Sequence, residues 1–136
     1  MIFTIDTNKK QELIDITGKV NNIVQQSKVK QGICHVFAKH ATAAIIINEN
    51  YDPNICTDFL NALNKAFPDK AGYLHDSVDG NAGAHIKAAL LGPGEIVPVS
   101  NGKLVLGAWQ SIMLVELDGP RRNREINVSI ISQGKG

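Results

Sequence analysis

The last third of the chain is a series of strand-forming segments with no helical segment between them, and this order restricts the fold more than any other feature of the sequence. Apolar and β-branched residues predict strands at 96–99, 103–106, 110–117 and 125–132. Turn sequences at 100–102 and 118–120, rich in Gly, Asn and Pro, separate some of them. Strands that follow one another without regular strand–helix alternation predict an α+β fold with mixed or antiparallel sheets.

The first half of the chain supplies further strands and the first of about three helices. Strands are predicted at 2–5, 32–39 and 43–47, and the β-branched run at 43–47 is typical of a strand buried on both faces. Helical spacing joins Ile16, Val20 and Val24, and either Asp15 or Thr17 is placed to cap that helix.

Two more helices are predicted in the middle of the chain. One begins at Asp52-Pro53, where Asp52 is the expected cap, and the other covers 82–91 after Asn81 or Asp79 as cap. Gly92-Pro93 is the stop signal of the last helix. The segment 68–80 between these helices is predicted to be a loop.

Chain length and charge exclude several classes of protein. At roughly 100–200 residues per domain, 136 residues predict one compact domain spanning 1–136. An eight-stranded β/α barrel is excluded because it needs about 200 residues or more. The net charge is only +1 and aromatic residues make up 5%, which argues against nucleic acid as a partner.

The sequence also predicts a cytoplasmic protein with no membrane partner. The N-terminus lacks a basic region followed by a long apolar stretch, so no signal peptide is recognised. The longest wholly apolar run, at 43–47, is far shorter than a membrane span. Cys34 and Cys56 lack metal-ligand spacing, and we expect both to be buried free thiols.

Three of the four histidines lie where the chain is predicted to change direction: His40, His75 and His85. Neutral imidazole is the commonest zinc ligand, and three ligands with an open water position are typical of a catalytic zinc site. Spacing alone does not bring the three together, so hydrogen-bonded structural or surface histidines are the alternative. His35 lies inside a predicted strand and is assigned a structural role.

Polar residues at strand ends are further candidates. Glu49 follows the buried strand 43–47, where a carboxylate can serve as a metal ligand or a general base, although a surface role is equally consistent. Gln110 and Glu116 share a face of the predicted strand 110–117 by alternation. Trp109 is expected to fill the core. Arg121 lies in an arginine-rich turn that is either a solvated tip or a phosphate-binding fork.

Serine- or cysteine-based covalent catalysis finds no support in the sequence. A glycine-rich phosphate loop, a nucleophile elbow and a Cys-x-x-Cys pair are all absent from it. Ser77, Ser100 and Ser111 have no histidine beside them in the sequence.

Five motifs in register resemble the signature of the YjbQ-like family. They comprise the segments His40-Ala41-Thr42-Ala43-Ala44 with Asn48-Glu49-Asn50-Tyr51-Asp52-Pro53, Tyr73-Leu74-His75-Asp76, Ala84-His85-Ile86-Lys87-Ala88, Gly107-Ala108-Trp109-Gln110 and Glu116-Leu117-Asp118-Gly119-Pro120-Arg121. The resemblance covers most of the chain from about residue 32 onward. It implies a small α+β domain that assembles as a homotrimer, with a polar pocket at or near subunit contacts where histidines hold a metal ion.

The resemblance also assigns roles to individual residues. The implied metal ligands are His40, His75 and His85. The implied catalytic groups are Glu49, Gln110 and Glu116. The implied substrate-binding residues are Thr42, Asn50, Lys87 and Arg121. The ligand types favour zinc, with magnesium as the alternative because magnesium is usually held by carboxylates and substrate phosphates.

The activity implied by the resemblance is a secondary thiamine-phosphate synthase activity. That reaction joins a pyrimidine diphosphate to a thiazole phosphate and releases pyrophosphate. A weak or secondary activity beside an unidentified primary reaction is the expectation, since the histidines suit metal-activated water or Lewis-acid chemistry. The alternative is a non-catalytic homotrimer that binds a metal ion or a small phosphorylated ligand.

Overall fold

The computed structural model describes residues 1–134, which form eight strands, three α-helices and one short 3₁₀ helix. The strands are β1 (Ile2–Ile5), β2 (Glu12–Asp15), β3 (Gly32–Ala38), β4 (Ala43–Asn48), β5 (Gly94–Ser100), β6 (Lys103–Leu104), β7 (Ser111–Glu116) and β8 (Arg124–Ser132). The helices are α1 (Thr17–Ser27), α2 (Pro53–Ala66), α3 (Ala82–Leu91) and the 3₁₀ helix Leu74–Ser77. Within residues 1–134, no helix is long and apolar enough to cross a membrane.

The strands form two sheets in which every pairing is antiparallel. The five-stranded large sheet has the order β1-β8-β3-β5-β6, and the three-stranded small sheet has the order β2-β7-β4. The predicted α+β class is therefore confirmed, and of the two sheet types left open the antiparallel one is found.

The two sheets pack face to face, and alternation along β4 shows how the layers are built. Ile45 is buried in the main core with residues of the large sheet and of α1, while Ala44 packs in a second cluster with α3. Successive strand residues point to opposite faces, so β4 is buried from both sides as predicted. The layers are therefore large sheet, small sheet and the α2–α3 pair, with α1 packed into the main core.

Helix α1 forms where the apolar spacing predicts it. Val20 and Val24 are wholly buried one turn apart, and the Asp15 carboxylate accepts a hydrogen bond of 2.9 Å from the Thr17 backbone N–H. Of the two predicted caps, Asp15 is the one that acts, although the cap position itself belongs to Ile16. The helix ends at Lys28, whose φ of 60° is left-handed.

Three local features differ from the predictions. Strand β2 was not predicted, because only Leu13 and Ile14 are apolar between the charged Glu12 and Asp15, which gives no alternation. The predicted loop 68–80 contains the 3₁₀ helix. The prediction that Trp109 fills the core is wrong: its side chain is 62% exposed in the turn between β6 and β7. There it meets the ring of Tyr51, which is still more exposed, edge-on at 5.3 Å between ring centroids.

Candidate functional site

A cavity of about 290 Å³ lies where the β3–β4 turn meets helix α3. His40 from the turn and His85 from the helix both line it, and its other lining residues are small or apolar. Ala84 and Ala88 on α3 are buried against the small sheet, so the helix lies close to β4. This packing brings together two of the three predicted metal ligands, which are 45 positions apart in the sequence. We call this cavity the histidine pocket.

The third predicted ligand lies beside the second. The 3₁₀ helix places the His75 ring 4.9 Å from the His85 ring, centroid to centroid, with an angle of 86° between the ring planes. His75 and His85 are therefore neighbours across the gap between the 3₁₀ helix and α3. Sequence spacing did not show this proximity, because the connecting segment has no regular periodicity.

The Asp76 carboxylate ties the two helices together next to the histidine pair. Its Oδ1 accepts a hydrogen bond of 3.0 Å from the Ala82 backbone N–H, so Asp76 caps α3. Asn81 occupies the cap position but makes no such bond. The Asp76 Oδ2 atom and the Asn81 Oδ1 atom are both buried without a hydrogen-bond partner among the described residues.

His40 is engaged with the backbone of the large sheet. Its Nε2 accepts a hydrogen bond of 2.7 Å from the Glu125 N–H. Burial lowers the pKa of His40, and the positive charge of Arg124 lowers it further. His40 is accordingly a neutral imidazole whose Nε2 lone pair is already occupied.

The described residues do not assemble the complete predicted three-histidine site. No group of three or more His, Cys, Asp or Glu side chains within residues 1–134 is placed to hold a metal ion. His75 and His85 are close enough to act together, whereas His40 is separately hydrogen-bonded. The three-histidine site stays a prediction, and the donor chemistry of the adjacent pair fits two ligands of a zinc ion.

Glu116 lies in a closed, buried network rather than in the histidine pocket. It is wholly buried, and Arg124 donates to it from Nε at 3.1 Å and also from Nη2. Thr7 donates a further hydrogen bond of 2.6 Å. Burial by itself raises the pKa of Glu116, but these hydrogen bonds and the Arg124 charge outweigh it and hold the pKa below its usual value.

Thr42 belongs to the same network. Its hydroxyl accepts a hydrogen bond of 2.9 Å from Arg124 Nη2, and the residue is buried. Glu116 and Thr42 are thus placed as the partners of a buried guanidinium. Arg124 itself was missed by the sequence reasoning, because an arginine beside two others in a turn carries no signal of burial.

Gln110, Glu49 and Asn50 also lie outside the histidine pocket. Gln110 is exposed, and its Oε1 accepts a hydrogen bond of 2.8 Å from the Gly107 N–H within one turn. Glu49 is half-buried beside a small crevice that Cys56 also lines. Asn50 donates to Asp15 at 3.1 Å and accepts from the Cys56 thiol at 3.3 Å.

The two predicted phosphate-binding cations are both paired with carboxylates. Lys87 on α3 is wholly buried, and its Nζ lies 3.1 Å from the Asp69 carboxylate. Arg121 is half-exposed and donates from Nη2 to Asp118 at 2.8 Å. Asp69 was also missed, since an aspartate after a proline in a predicted loop gives no sign of a buried partner.

Comparisons with known proteins place this architecture in one family. The family model described as UPF0047 protein YjbQ-like matches residues 1–133. A UPF0047 protein of Methanothermobacter thermautotrophicus is 46% identical over 124 residues, which cover 91% of this chain and 85% of that protein. The UPF0047 protein YugU of Bacillus subtilis is 39% identical over 117 residues, covering 86% of this chain and 88% of that protein.

Solved structures show the same fold. A YbjQ-like protein of unknown function from Sulfolobus solfataricus superposes with a TM-score of 0.95 at 41% identity, over 98% of this chain and 96% of that one. An uncharacterized conserved protein of the YjbQ/UPF0047 family from Clostridium acetobutylicum gives a TM-score of 0.92 at 44% identity, over 96% of this chain and 99% of that one.

Proposed function

Since this chain belongs to the YjbQ-like UPF0047 family, we propose that it is a small metal-dependent enzyme acting on a phosphorylated small molecule at the histidine pocket. The observation that carries the proposal is the edge-to-face contact of His75 and His85, 4.9 Å between ring centroids, with His85 also lining the cavity. Imidazole nitrogen is a donor that zinc prefers, and here two imidazoles are adjacent beside a concave surface.

The roles of this chain's own residues follow from their positions. His75 and His85 would hold the ion, and a bound divalent ion supplies Lewis-acid chemistry to a substrate oxygen. Asp76 fixes the start of α3, and with it His85, through its hydrogen bond to Ala82. His40 lines the other side of the cavity. Because its Nε2 accepts the Glu125 N–H, its proton lies on Nδ1, which is able to donate a hydrogen bond.

We further propose that the site is completed in a homotrimer. A catalytic zinc ion normally has three protein ligands and one open position, and the adjacent histidine pair supplies two. A donor from a second copy of the chain would provide the third. The exposure of the His75 side of the pair leaves it accessible to a neighbouring subunit.

Thiamine-phosphate synthesis is proposed as a secondary activity of this site. In that reaction the carbon–oxygen bond to the diphosphate breaks, a carbon–nitrogen bond to the thiazole forms, and pyrophosphate leaves. Lys87 and Arg121 are already paired with carboxylates, so they are poorly placed to hold the leaving pyrophosphate. This arrangement supports a metal pocket with another primary reaction better than a dedicated synthase.

Metal content tests the site. We expect protein purified without chelator to carry zinc, measured by mass spectrometry of the metal, and the variants His75→Ala and His85→Ala to lose it. Each of these variants should lower the affinity for zinc by more than the roughly 10–100-fold decrease that follows removal of an outer-shell partner. His35→Ala is the matched control, because His35 lies in β3 and does not line the histidine pocket. Unchanged metal content in both pocket variants would contradict the proposal.

Activity and assembly are tested on the same proteins. We expect a trimer by light scattering. Protein purified from a strain without its own synthase should form thiamine phosphate slowly, and His85→Ala should reduce or abolish this formation. If His85→Ala and the wild type formed thiamine phosphate equally fast, the activity would come from a contaminating enzyme. A closed four-ligand metal sphere with no turnover of phosphorylated substrates would favour the non-catalytic binding protein instead.

A further inference from the structure

A second cavity lies at the opposite end of the large sheet from the histidine pocket. It has a volume of about 270 Å³ and lies between the end of α1, the segment leading into β3 and the β5–β6 turn. Strand β3 begins at this end and leads to His40 at the other, and its seven residues span roughly 20 Å at about 3.3 Å each. The two cavities are therefore separate sites.

Three lysines line this cavity: Lys28, Lys30 and Lys103. All three are exposed, and none takes part in the ion pairs formed among residues 1–134. No carboxylate is among the lining residues, whose other polar side chains are Gln25 and Asn101. We call this site the lysine cavity.

The surrounding sequence segregates charge in the same way. Segments 16–48, 96–115 and 126–136 contain no Asp or Glu. They supply α1, β3 and the ends of β5 and β8 that lie near the lysine cavity. Glu95 and Glu125 belong to β5 and β8, but they stand at the starts of those strands, near the histidine pocket. The positive potential at the lysine end is thus not neutralised by neighbouring carboxylates.

Local packing holds part of the cavity in shape. The Gly102 N–H donates a hydrogen bond of 3.1 Å to the Lys30 carbonyl, and the Lys30 Nζ lies 3.5 Å from the position that a Cβ on Gly102 would occupy. The turn has left-handed φ angles of 52° at Asn101 and 74° at Gly102. Val24, wholly buried, forms an apolar base, and a low-dielectric wall strengthens the attraction between the ammonium groups and an anion.

We propose that the lysine cavity binds a small ligand through two or more linked phosphoryl groups, independently of the histidine pocket. One phosphoryl group carries about 1.5–2 negative charges at pH 7, so three ammonium groups match two linked phosphoryl groups better than one. Lysine binds phosphate as a point charge and does not require the planar geometry of arginine. At about 270 Å³ the cavity lies just below the usual range for ligand sites, about 300–1,000 Å³, and this small size suits a diphosphate head group.

Calorimetric titration of the full chain with inorganic diphosphate at low salt tests the proposal. We expect saturable binding that is weaker for monophosphate, and about a tenfold loss of affinity in each of Lys30→Gln and Lys103→Gln. Lys65→Gln is the matched control: Lys65 is exposed on α2, removed from the cavity, and the variant changes the net charge equally. All three variants alter exposed side chains, and thermal unfolding measures their stability.

Several results would overturn the assignment. Absence of diphosphate binding, or equal loss of affinity in Lys65→Gln, would show that the three lysines form no site. If duplex DNA bound more tightly than diphosphate, and its binding depended in the same way on Lys30 and Lys103, the surface would be assigned to a polyanion instead. Loss of diphosphate binding in His85→Ala would show that the two sites are not independent.

Discussion

At the scale of single residues, Glu116 and Arg124 form the most buried ion pair among residues 1–134. Arg124 is nearly buried and Glu116 wholly so, and every oxygen of Glu116 has a hydrogen-bond donor. A buried ion pair contributes little net stability compared with apolar residues, but removing one partner leaves the other charge buried without compensation. The pair therefore holds the end of β7 against the start of β8.

The variant Glu116→Gln tests this role. We expect the free energy of unfolding to fall by about 3–5 kcal/mol, because the Arg124 guanidinium then stays buried against a neutral amide. Chemical denaturation monitored by circular dichroism measures the change. Glu125→Gln is the control, since its 3.7 Å contact with Lys39 is exposed and should contribute about 1 kcal/mol or less. Similar effects of the two variants would contradict the buried-pair interpretation.

The same carboxylate predicts a dependence of stability on pH. The folded pKa of Glu116 lies below its ordinary value of 4.5, so ionised Glu116 stabilises the folded state above that pH. This contribution is lost as the pH falls through the folded pKa. We expect the unfolding free energy of the wild type to decrease more steeply than that of Glu116→Gln below about pH 5. Parallel slopes for the two proteins would show that Glu116 titrates normally.

At the scale of secondary structure, the stability of helix α2 depends on the interactions at its ends more than that of α1 does. None of its residues is wholly buried, although Phe59 and Leu63 pack on the second core cluster. Asp52 accepts a hydrogen bond of 2.9 Å from the Asn54 N–H, and Pro53 begins the helix. The prediction of Asp52 as the cap from the sequence is confirmed, because capping depends on a few adjacent residues.

Asp52→Ala should destabilise the protein by about 1 kcal/mol, with faster amide hydrogen exchange in the first turns of α2. The control is Asp58→Ala, an exposed aspartate inside the same helix, where alanine has the higher helix propensity. We expect that variant to be neutral or slightly more stable. Equal destabilisation by both changes would mean that the cap bond is not the cause.

At the scale of the whole molecule, Cys34 reports on opening of the core between the sheets. It lies buried in β3, and burial raises the pKa of its thiol to about 11. Cys56 on α2 is half-buried, and burial followed by the charges of Asp15 and Asp52 raises its pKa as well. The expectation of two buried thiols is thus met by Cys34 and only in part by Cys56.

Disulfide exchange with a chromogenic reagent at pH 8 distinguishes the two thiols, because only the thiolate reacts. In Cys56→Ala, labelling of Cys34 should require global unfolding. Its rate should therefore rise with denaturant in proportion to the unfolding equilibrium constant. In Cys34→Ala, labelling of Cys56 should be faster and less dependent on denaturant. Equal labelling rates of the two thiols in native buffer would show that the core opens locally at β3.

Much of the architecture follows from short-range patterns in the sequence. The alternation in β4, the spacing of Val20 and Val24 in α1 and the Asp52 cap each depend on residues within about two helical turns of one another. The α+β class follows from the order of these segments.

Packing between elements in the tertiary structure decides which side chains meet. His75 and His85 come together because the 3₁₀ helix folds against α3, while Trp109 lies in an exposed turn. Glu116 and Arg124 are paired because the end of β7 and the start of β8 bring them into one buried network. The partners are only 10 and 8 positions apart, but their contacts depend on how whole elements pack against one another, and no local periodicity encodes that packing.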